Sequence, residues 1–448
     1  MSPERAAQET AHVIVVSVGT LGDMYPFISL AQAMKLRGHR ISFLAPAVHE
    51  DLVRSAGLAF HPLGSREDYL ALVNNPDIWD SQKAFAALWR GTLGNLKQIP
   101  AFIQSLPAEE PCLLLTHPFA LPAAALAKAA RRDMPIVGAY VAPANMRTVH
   151  DPLTIGPIRV PSWLPMNWRR WVWRRIDARF VDPVARADLN LERRLKGLDA
   201  VVHVVEHMHT VADLSLTLFP SWFAQDQPDW PRPRRSGEFP LYDPNPGQQL
   251  PEEVDRFLAA GAAPNVFTPG TGHKHARSYF VHALDAARRL GRRAIFLTPY
   301  PEQLPSIAPN SGILWQPYVP MRRLLVRAAA IVHHGGVGTV AEALRAGIPQ
   351  VIVPLAHDQF DNGARVEALG VGRSIKAGRA TGPALKTVLA SLLSSNTASA
   401  QCKIAAERLR ETPDWNAICE AMEALLSGSM SCPQAPKTEP MATRQIPV

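Results

Sequence analysis

The part of the sequence best suited to bind a ligand is a glycine turn that two histidines precede and a threonine follows. His334 ends an apolar run, and glycines and a predicted helix follow it. Glycines let a backbone approach a ligand closely, and a helix N-terminus presents free N–H groups and a positive dipole. These groups suit a diphosphate, to which the histidine adds a hydrogen bond. The predicted diphosphate site comprises His334, Gly335, Gly336, Gly338 and Thr339.

An acid–amide pair, Asp358 and Gln359, follows the next predicted strand, Gln350–Pro354. Doubly wound sheets bind ligands beyond the carboxyl ends of their strands. A carboxylate beside an amide suits sugar hydroxyls, which both donate and accept hydrogen bonds. A plain tight turn and a solvated loop are the alternatives for these two segments, and their joint occurrence at this spacing favours a binding site.

The elements that position these residues follow a strand–turn–helix–strand rhythm. The apolar, β-branched run His12–Val18 predicts a buried strand, and Tyr25–Arg37 carries apolar residues at helical spacing before the strand Arg40–Ala45. This order predicts a parallel, doubly wound sheet. Further strands are predicted at Cys112–Thr116, Pro135–Val141, Asn265–Thr268, Ala294–Thr298 and Ala328–His333, and further helices at Arg277–Leu290 and Gly338–Ala346.

The α/β rhythm occurs twice, on either side of the proline-rich segment Pro220–Pro251. Prolines at this density disfavour regular structure, so the segment is predicted to be a linker. The 448 residues exceed what one core usually serves. We therefore predict two Rossmann-like domains facing a cleft, at residues 1–219 and 252–426, joined by a linker at 220–251 and followed by a disordered tail at 427–448.

Composition narrows the class of protein. The net charge of +8 suits an anionic partner, but no helix-turn-helix or zinc-finger pattern predicts nucleic-acid binding. The 4 cysteines form no CxxC pair, which argues against a zinc ribbon or a disulfide framework. No signal peptide or membrane-spanning run is apparent. The sequence thus predicts a cytoplasmic protein.

The segment Ile331–Asn362 resembles the signature of the family 1 glycosyltransferases that modify plant secondary products and antibiotics. That resemblance implies the GT-B fold, a nucleotide-sugar co-substrate, and neither a cofactor nor a bound metal. His334 then falls on the diphosphate-binding histidine, and Asp358 and Gln359 fall on the acid–amide pair that contacts the donor sugar. Two further donor-binding positions are implied: Tyr318 with Val319 at the nucleobase, and Gly270 with Thr271 near the phosphates. Tyr318 stands where the plant signature has tryptophan.

The resemblance also implies a catalytic residue. Gly22–Pro26 matches the Gly-Asp-x-x-Pro pattern, in which the second residue is the general base of inverting members. Asp23 would remove the proton from the acceptor hydroxyl as its oxygen attacks the anomeric carbon. The alternative is that Asp23 only caps the following helix, a common role of aspartate. The second-domain signature favours catalysis.

A closer resemblance, from about His12 to beyond Gly372, is to the rhamnosyltransferases of bacterial rhamnolipid biosynthesis. It implies transfer of L-rhamnose from dTDP-L-rhamnose to a 3-(3-hydroxyalkanoyloxy)alkanoate lipid, which gives a mono-rhamnolipid. The alternatives are a glycosyltransferase using UDP-glucose on a sterol, carotenoid or macrolide-type acceptor, a sugar-nucleotide epimerase, and a binding protein without catalysis.

Two aromatic segments fit a lipid acceptor. Trp79, Phe85 and Trp89 are predicted to contact the acceptor. Pro161–Phe180 combines tryptophans with arginines, which suits peripheral contact with the anionic inner face of the cytoplasmic membrane. A packed helix whose arginines snorkel to solvent or pair with Asp177 and Asp182 is the alternative.

One remaining motif resembles that of a zinc site. His203, Glu206 and His207 match the H-x-x-E-H pattern of some zinc peptidases. The match is short and no distal third ligand can be identified. We therefore expect no metal at this position.

Overall fold

The computed structural model describes residues 10–309, 311–410 and 414–428. Two parallel β-sheets packed against helices form the body of the molecule, and a small antiparallel hairpin projects from it. The described strands are β1 His12–Val16, β2 Arg40–Pro46, β3 Ala59–Leu63, β4 Cys112–Thr116, β5 Ile136–Tyr140, β6 Thr154–Ile155, β7 Ile158–Arg159, β8 Leu214–Thr217, β9 Arg234–Ser236, β10 Asn265–Thr268, β11 Ala294–Leu297, β12 Ile313–Gln316, β13 Ala330–His333, β14 Gln350–Ile352 and β15 Gly372–Ser374.

The helices alternate with these strands over most of the chain. The described α-helices are α1 Leu21–Leu36, α2 Glu50–Ser55, α3 Arg66–Asn74, α4 Ala84–Leu96, α5 Gln98–Gln104, α6 Leu121–Lys128, α7 Met166–Ile176, α8 Asp182–Leu195, α9 Val204–Val211, α10 Glu252–Ala259, α11 Arg277–Leu290, α12 Met321–Leu324, α13 Val337–Ala346, α14 Gln359–Ala368, α15 Gly382–Leu393, α16 Asn396–Arg408 and α17 Asn416–Leu426. No helix among the described residues combines the length and apolar content that crossing a bilayer requires.

The first sheet has the strand order β3-β2-β1-β4-β5-β8-β9, and every neighbouring pair is parallel. Its central strands β1 and β4 are fully buried, with His12 aligned to Cys112 in the register. Short apolar runs of this kind suit a parallel sheet that is covered on both faces. The connections up to β8 are helical, as is usual between parallel neighbours, whereas the connection from β8 to β9 is irregular.

The second sheet has the order β12-β11-β10-β13-β14-β15 and is also entirely parallel. Its order reverses between β10 and β13, where the β10 and β13 strand ends lie side by side. Such a switch point is where a doubly wound sheet binds its ligand. The predicted fold class, two Rossmann-like domains with parallel sheets, is confirmed.

The proline-rich segment is not wholly irregular, so the prediction of a plain linker at 220–251 was incomplete. β9 lies within it and forms the edge of the first sheet, beside β8. The carbonyl of Pro233 accepts a hydrogen bond from the N–H of Ser215, 2.9 Å away. An edge strand uses its hydrogen bonds on one side only, so neighbouring prolines are tolerated there.

The last helix does not belong to the second domain, as a boundary at 426 had predicted. α17 packs Ile418, Cys419 and Met422 into a core cluster that joins first-domain residues, such as Phe27, to residues of α13 and α16. The buried Glu423 pairs with Arg37, whose guanidinium nitrogen lies 2.5 Å from a carboxylate oxygen. The chain therefore crosses back to its first domain after α16. From residue 429, the predicted disordered tail lies outside the described residues.

Candidate active site

A cleft of about 770 Å³ lies between the two sheets, and both domains line it. Most of its polar lining follows the carboxyl ends of strands, as expected for parallel sheets. From the first domain come Gly19, Thr20, Asp23, His117 and Asn145, and from the second come Gly270, Thr271, His334, Gly336, Gly338, Asp358 and Gln359.

The imidazole of His334 sits between two glycines at the switch point. A Cβ on Gly270 would lie 2.6 Å from its Cε1, and a Cβ on Gly336 would lie 2.6 Å from its Nε2. The glycines thus make room for this ring as well as for a ligand. Burial lowers the pKa of His334 to about 3, so the ring is neutral. Its Nδ1 is buried without a hydrogen-bond partner, which leaves that atom for a ligand.

The N-terminus of α13 opens into the cleft beside His334. The helix begins at Val337, with Gly336 as its N-cap, one residue before the predicted start. A Cβ on Gly338 would meet no atom within 4 Å, so the first turn of the helix is open to an approaching group. Free N–H groups and the positive end of the dipole at this position suit an anion.

The structure places Asp358 and Gln359 at the start of α14, as the N-cap and first residue. Burial, with the nearby charge of Asp23, raises the pKa of Asp358 to about 7. Asn362 donates to its carboxylate over 2.7 Å. The Gln359 Oε1 accepts the N–H groups of Leu355 and Ala356, so only its amide nitrogen remains for a sugar.

The remaining predicted donor residues differ in exposure. Tyr318 is 47% exposed and lines the cleft, so its ring is accessible to a nucleobase. Val319 is 1% exposed and packs in the second-domain core. Its predicted contact with the nucleobase therefore cannot involve its side chain. Thr271 lines the cleft and its carbonyl accepts from the hydroxyl of Tyr300 at 3.3 Å.

Asp23 divides its two carboxylate oxygens between the helix and the cleft. Its Oδ2 accepts the N–H of Thr20 at 2.8 Å, which is the capping contact of α1. Its Oδ1 faces the Nε2 of His117 at 3.7 Å. Gly19 has φ 120°, and a Cβ there would overlap Oδ2, so glycine is required beside this carboxylate. Asp23 can therefore cap α1 with one carboxylate oxygen while the other oxygen stays available in the cleft.

His117, at the carboxyl end of β4, was missed from the sequence. Its Nδ1 accepts the N–H of Phe119 at 3.2 Å, so in the neutral ring the proton is on Nε2, which faces Asp23. Burial lowers the pKa of His117, and the charge of Asp23 opposes that shift. The only signal in the sequence was its position directly after a predicted strand.

Glu342 is a second residue of the cleft that the sequence patterns did not indicate. It lies on α13 one turn beyond Gly338 and lines the cleft. Burial raises its pKa, while Arg345, whose guanidinium lies 2.9 Å away, opposes the shift. Helical spacing from Gly338 is the signal that could have found it.

The apolar wall of the cleft comes mainly from α4 of the first domain. Phe85 lines the cleft and stacks on Trp89 with ring centroids 6.2 Å apart. Trp89 itself is 2% exposed and packs in a satellite core with Leu189, and its N–H donates to Asp188. The predicted acceptor contact of Trp89 is therefore wrong. The i, i+4 spacing places Trp89 on the same helix face as Phe85, but Trp89 lies one layer deeper in the core.

Trp79, also predicted to contact the acceptor, lines the cleft and bridges the two domains. Its ring makes edge contacts with His273, 5.1 Å between centroids, and with His357, 6.0 Å away. The loop at Gly272 lies against the Cζ2 side of the indole, where an added Cβ would be 3.5 Å away. Its Nε1 is buried without a partner. The side chain thus stands beside the donor-side loop.

The H-x-x-E-H motif lies away from the cleft. His203 contacts the carboxylate of Asp182 at 3.3 Å, and His207 lies 3.5 Å from the guanidinium of Arg193. In the described part of the chain, no three histidine, cysteine, aspartate or glutamate residues are grouped to hold a metal.

Comparison with protein families finds two matches, one for each domain that lines the cleft. Residues 13–117 match the glycosyltransferase family 28 N-terminal domain, and residues 301–425 match the C-terminal domain of erythromycin biosynthesis protein CIII-like proteins. The first region carries Asp23 and His117, and the second carries His334 and Asp358.

Similar proteins extend over most of the chain. The O-mycaminosyltylonolide 6-deoxyallosyltransferase of Streptomyces fradiae is 27% identical, over 80% of this chain and 84% of its own length. The glycosyltransferase GtfE of Amycolatopsis orientalis is 26% identical, over 86% of this chain and 91% of its own. The structure of the spinosyn forosaminyltransferase SpnP, at 20% identity, superposes with a TM-score of 0.64 over 93% of this chain and 99% of that one.

The fold is shared over nearly whole chains, a glycosyltransferase family matches the first domain, and the relatives that extend over most of the chain are named glycosyltransferases. The chain is a nucleotide-sugar-dependent hexosyltransferase with the GT-B fold.

Proposed function

We propose that the chain transfers L-rhamnose from dTDP-L-rhamnose, with inversion and without a metal, to the hydroxyl of a 3-(3-hydroxyalkanoyloxy)alkanoate lipid, giving a mono-rhamnolipid. The observation that carries this proposal is the pairing of Asp23 on one wall of the cleft with His334 and the α13 N-terminus on the other. Asp23 is near enough to Asp358, across the cleft, for its charge to raise the pKa of that residue.

In the proposed reaction, the free oxygen of Asp23 removes the proton of the acceptor hydroxyl. The acceptor oxygen then forms a bond to the anomeric carbon as the bond from that carbon to the diphosphate oxygen breaks. The nucleoside diphosphate leaves with the bonding electron pair, and attack from the opposite face inverts the configuration. His117 positions Asp23, since its Nε2–H faces Oδ1.

The leaving diphosphate gains negative charge at its bridging oxygen in this step. The N–H groups at the start of α13 and the unpaired Nδ1 of His334 would stabilise that charge. Tyr318 would stack on the thymine, with Gly270 and Thr271 near the phosphates. Asp358, Gln359 and the Trp79 N–H would contact the sugar end of the donor.

The donor sugar rests on resemblance. The Streptomyces fradiae relative is named for transfer of a 6-deoxyallosyl group, and rhamnose is also a 6-deoxyhexose. The acceptor rests on the apolar wall, where Phe85, Leu88 and Leu72 line the side of the cleft nearest α4. A hydroxyl on a flexible apolar chain fits such a wall.

A macrolide-type acceptor is the second candidate, because the same relative is named for a tylonolide substrate. UDP-glucose would then be the competing donor, with sterols and carotenoids as further acceptors. An epimerase or a binding protein without catalysis would keep the diphosphate turn but would not need Asp23 beside an apolar wall.

Incubation with a donor panel and an acceptor panel tests the proposal. dTDP-L-rhamnose with 3-(3-hydroxydecanoyloxy)decanoate is expected to give a rhamnolipid by mass spectrometry, with the α-to-β or β-to-α change of configuration resolved by NMR. EDTA is expected to leave the rate unchanged. Product only from UDP-glucose and a sterol or macrolide would favour the second candidate, and interconversion of free nucleotide sugars would favour the epimerase.

We also propose that α7 docks on an anionic bilayer. Its exposed face carries Trp168 and Trp171, 58% and 50% exposed, and the preceding loop carries Trp163 at 79%. Arg170, Arg174 and Arg175 are the exposed cations of the same helix. Tryptophan with arginine on one helix face suits the interface of an anionic membrane.

The packed-helix alternative predicted arginines that snorkel or pair with Asp177 or Asp182, and among the described residues the arginines of α7 form no pair with either aspartate. Asp177 is bound by Arg147, and Asp182 contacts His203 and the N–H of Val204. Only Arg169 is structural, since its guanidinium donates to carbonyls that include those of Leu164 and Ser162.

Vesicle sedimentation tests this contact. The protein is expected to sediment with phosphatidylglycerol vesicles and to stay in solution with phosphatidylcholine vesicles. Replacing Arg170, Arg174 and Arg175 by glutamine should release it. Equal sedimentation of the variant and the wild type would contradict the proposal.

A further inference from the structure

Two non-glycine residues in the described part of the chain have a left-handed backbone, and both line the cleft. They are Leu241, with φ 45°, and His357, with φ 58°. This conformation is uncommon in residues that have a Cβ, because it strains them, and such residues are concentrated at functional sites. His357 directly precedes Asp358 and Gln359, so its strain lies within the predicted donor-binding loop.

The loop that carries His357 is closed by the side chain of Gln359. The Oε1 of Gln359 accepts the N–H of Leu355 at 2.8 Å and that of Ala356 at 3.1 Å, and α14 begins directly afterwards. The left-handed residue therefore lies between a closed turn and the start of a helix. Glycine would adopt this backbone freely, so the turn itself does not require a histidine.

The ring of His357 reaches the first domain across the cleft. Its centroid lies 6.0 Å from that of Trp79, and the ring is in hydrogen-bonding range of the backbone carbonyl of Ile78. Burial lowers the pKa of His357, so the ring is neutral and carries one proton. With that proton directed at the Ile78 carbonyl, the second ring nitrogen has a free lone pair and can accept a hydrogen bond.

The same ring borders the place where the donor sugar must sit. His357 is close enough to Asp23 and to His334 to interact electrostatically with both. In the proposed reaction, the anomeric carbon lies between the Asp23 carboxylate, which takes the acceptor proton, and the diphosphate at His334. A side chain close to both groups is therefore beside the sugar, whereas Tyr318 is at the nucleobase.

We infer that His357 is a further donor-binding residue, whose free ring nitrogen accepts a hydrogen bond from a hydroxyl of the transferred sugar. The inference rests on the proposed function and names a specificity-determining contact of the same site. The left-handed backbone holds the imidazole beside the sugar, and glycine at this position would lose that contact. Because the contact is to the sugar alone, it contributes to binding of the nucleotide sugar and not to binding of the free nucleoside diphosphate.

Binding of dTDP-L-rhamnose and of dTDP, measured by isothermal titration calorimetry without acceptor, tests this contact. His357→Gly removes the imidazole where glycine is unstrained, so the variant should fold as the wild type does. Its Kd for dTDP-L-rhamnose should rise about five- to tenfold, the effect of one lost hydrogen bond, and its Kd for dTDP should not change. His357→Asn is a second variant, because asparagine also tolerates a left-handed backbone, and its loss of affinity for dTDP-L-rhamnose should again exceed its loss for dTDP.

His282→Gln is the control, because it removes an imidazole from α11, outside the lining of the cleft. It should leave both Kd values unchanged. Equal losses of affinity for dTDP and dTDP-L-rhamnose in the His357 variants, or no loss for either, would overturn the sugar contact. If the donor panel instead returns UDP-glucose, the rhamnosyl proposal fails, and the same comparison of UDP-glucose with UDP decides the role of His357.

Discussion

At the scale of single residues, the Asp23 carboxylate is the proposed general base. One oxygen caps α1 and the other faces the cleft beside His117. Asp23→Asn keeps an oxygen to accept the Thr20 N–H but cannot take a proton. We expect kcat to fall by about 10²- to 10⁴-fold, as for loss of a general base, with little change in the KM for the donor.

Initial-rate kinetics and a thermal unfolding scan check this prediction. An unchanged unfolding temperature would separate the chemical role from the capping role. Full activity of Asp23→Asn would reduce Asp23 to a helix cap.

Trp79 is expected to act on the donor and not on the acceptor. Its buried N–H has no partner in the empty cleft, and the loop at His273 lies against it. Trp79→Phe keeps the ring but removes the N–H, so the KM for the donor should rise about fivefold, the value of one hydrogen bond of about 1 kcal/mol. The KM for the acceptor should not change.

Trp89→Phe is the matched control, because its N–H already donates to Asp188 at 3.1 Å. This control should lower the unfolding temperature and leave both KM values unchanged. If Trp79→Phe raised the KM for the acceptor alone, Trp79 would be an acceptor contact after all.

Asp358 gives a pH dependence with a defined sign. Its folded pKa of about 7 lies above the value of about 3.9 for an unfolded aspartate. Between those pH values the folded state holds a proton that the unfolded state has lost, so this group's contribution to stability is complete below pH 4 and is lost as the pH rises to 7.

Asp358→Asn removes this contribution. We expect the unfolding temperature of the variant, relative to the wild type, to rise from pH 5 to pH 8. Using the difference cancels the opposite trend of buried histidines such as His333 and His334, whose pKa values are lowered by burial. A difference that is flat with pH would contradict the predicted ionisation.

At the scale of elements, α17 is held to the first domain by a buried charge cluster. Glu423 is 6% exposed and contacts both Arg37 and His39, the latter at 3.2 Å. Glu423→Gln should lower the free energy of unfolding by about 3 kcal/mol, because removal of one partner leaves buried charge uncompensated. Urea unfolding at low and high salt measures this, and the loss should be insensitive to salt.

The same helix offers its own control. Glu420 is exposed, and Glu420→Gln should change the free energy of unfolding by less than about 0.5 kcal/mol. Equal effects of the two substitutions would mean that the cluster does not hold α17.

The individual elements of the sheets could be predicted because buried parallel strands are short, apolar and bounded by turn residues. The strands Cys112–Thr116 and Asn265–Thr268 and the helix Arg277–Leu290 have the predicted bounds. β9 was missed because prolines flank it, and edge position, which tolerates them, is a property of the sheet and not of the segment.

The site could be predicted only in part, since patterns locate residues along the chain but not in depth. The sequence indicated His334, Asp358 and Asp23, which all follow strand ends. It could not tell that Trp89 lies beneath Phe85, because both are on one helix face. It also gave no means to see that His117 meets Asp23, since the two strands are far apart along the chain.

At the scale of the whole molecule, the cleft is also bridged by side chains. Lys274 of the second domain donates to Asn74 of the first at 2.7 Å, and Arg365 pairs with Asp151 at 3.0 Å. These contacts lie at different parts of the interface. They hold the two walls of the cleft together.

The return of α17 to the first domain has a consequence for how the protein can be divided. The polypeptide passes between its halves twice, so the donor-binding half is an insertion within the other half. A cut at residue 251 alone would leave Ile418 and Met422 without their apolar partners and Arg37 without Glu423. The donor-binding half is best excised as residues 252–409, and the acceptor-binding half needs α17 supplied through a short tether.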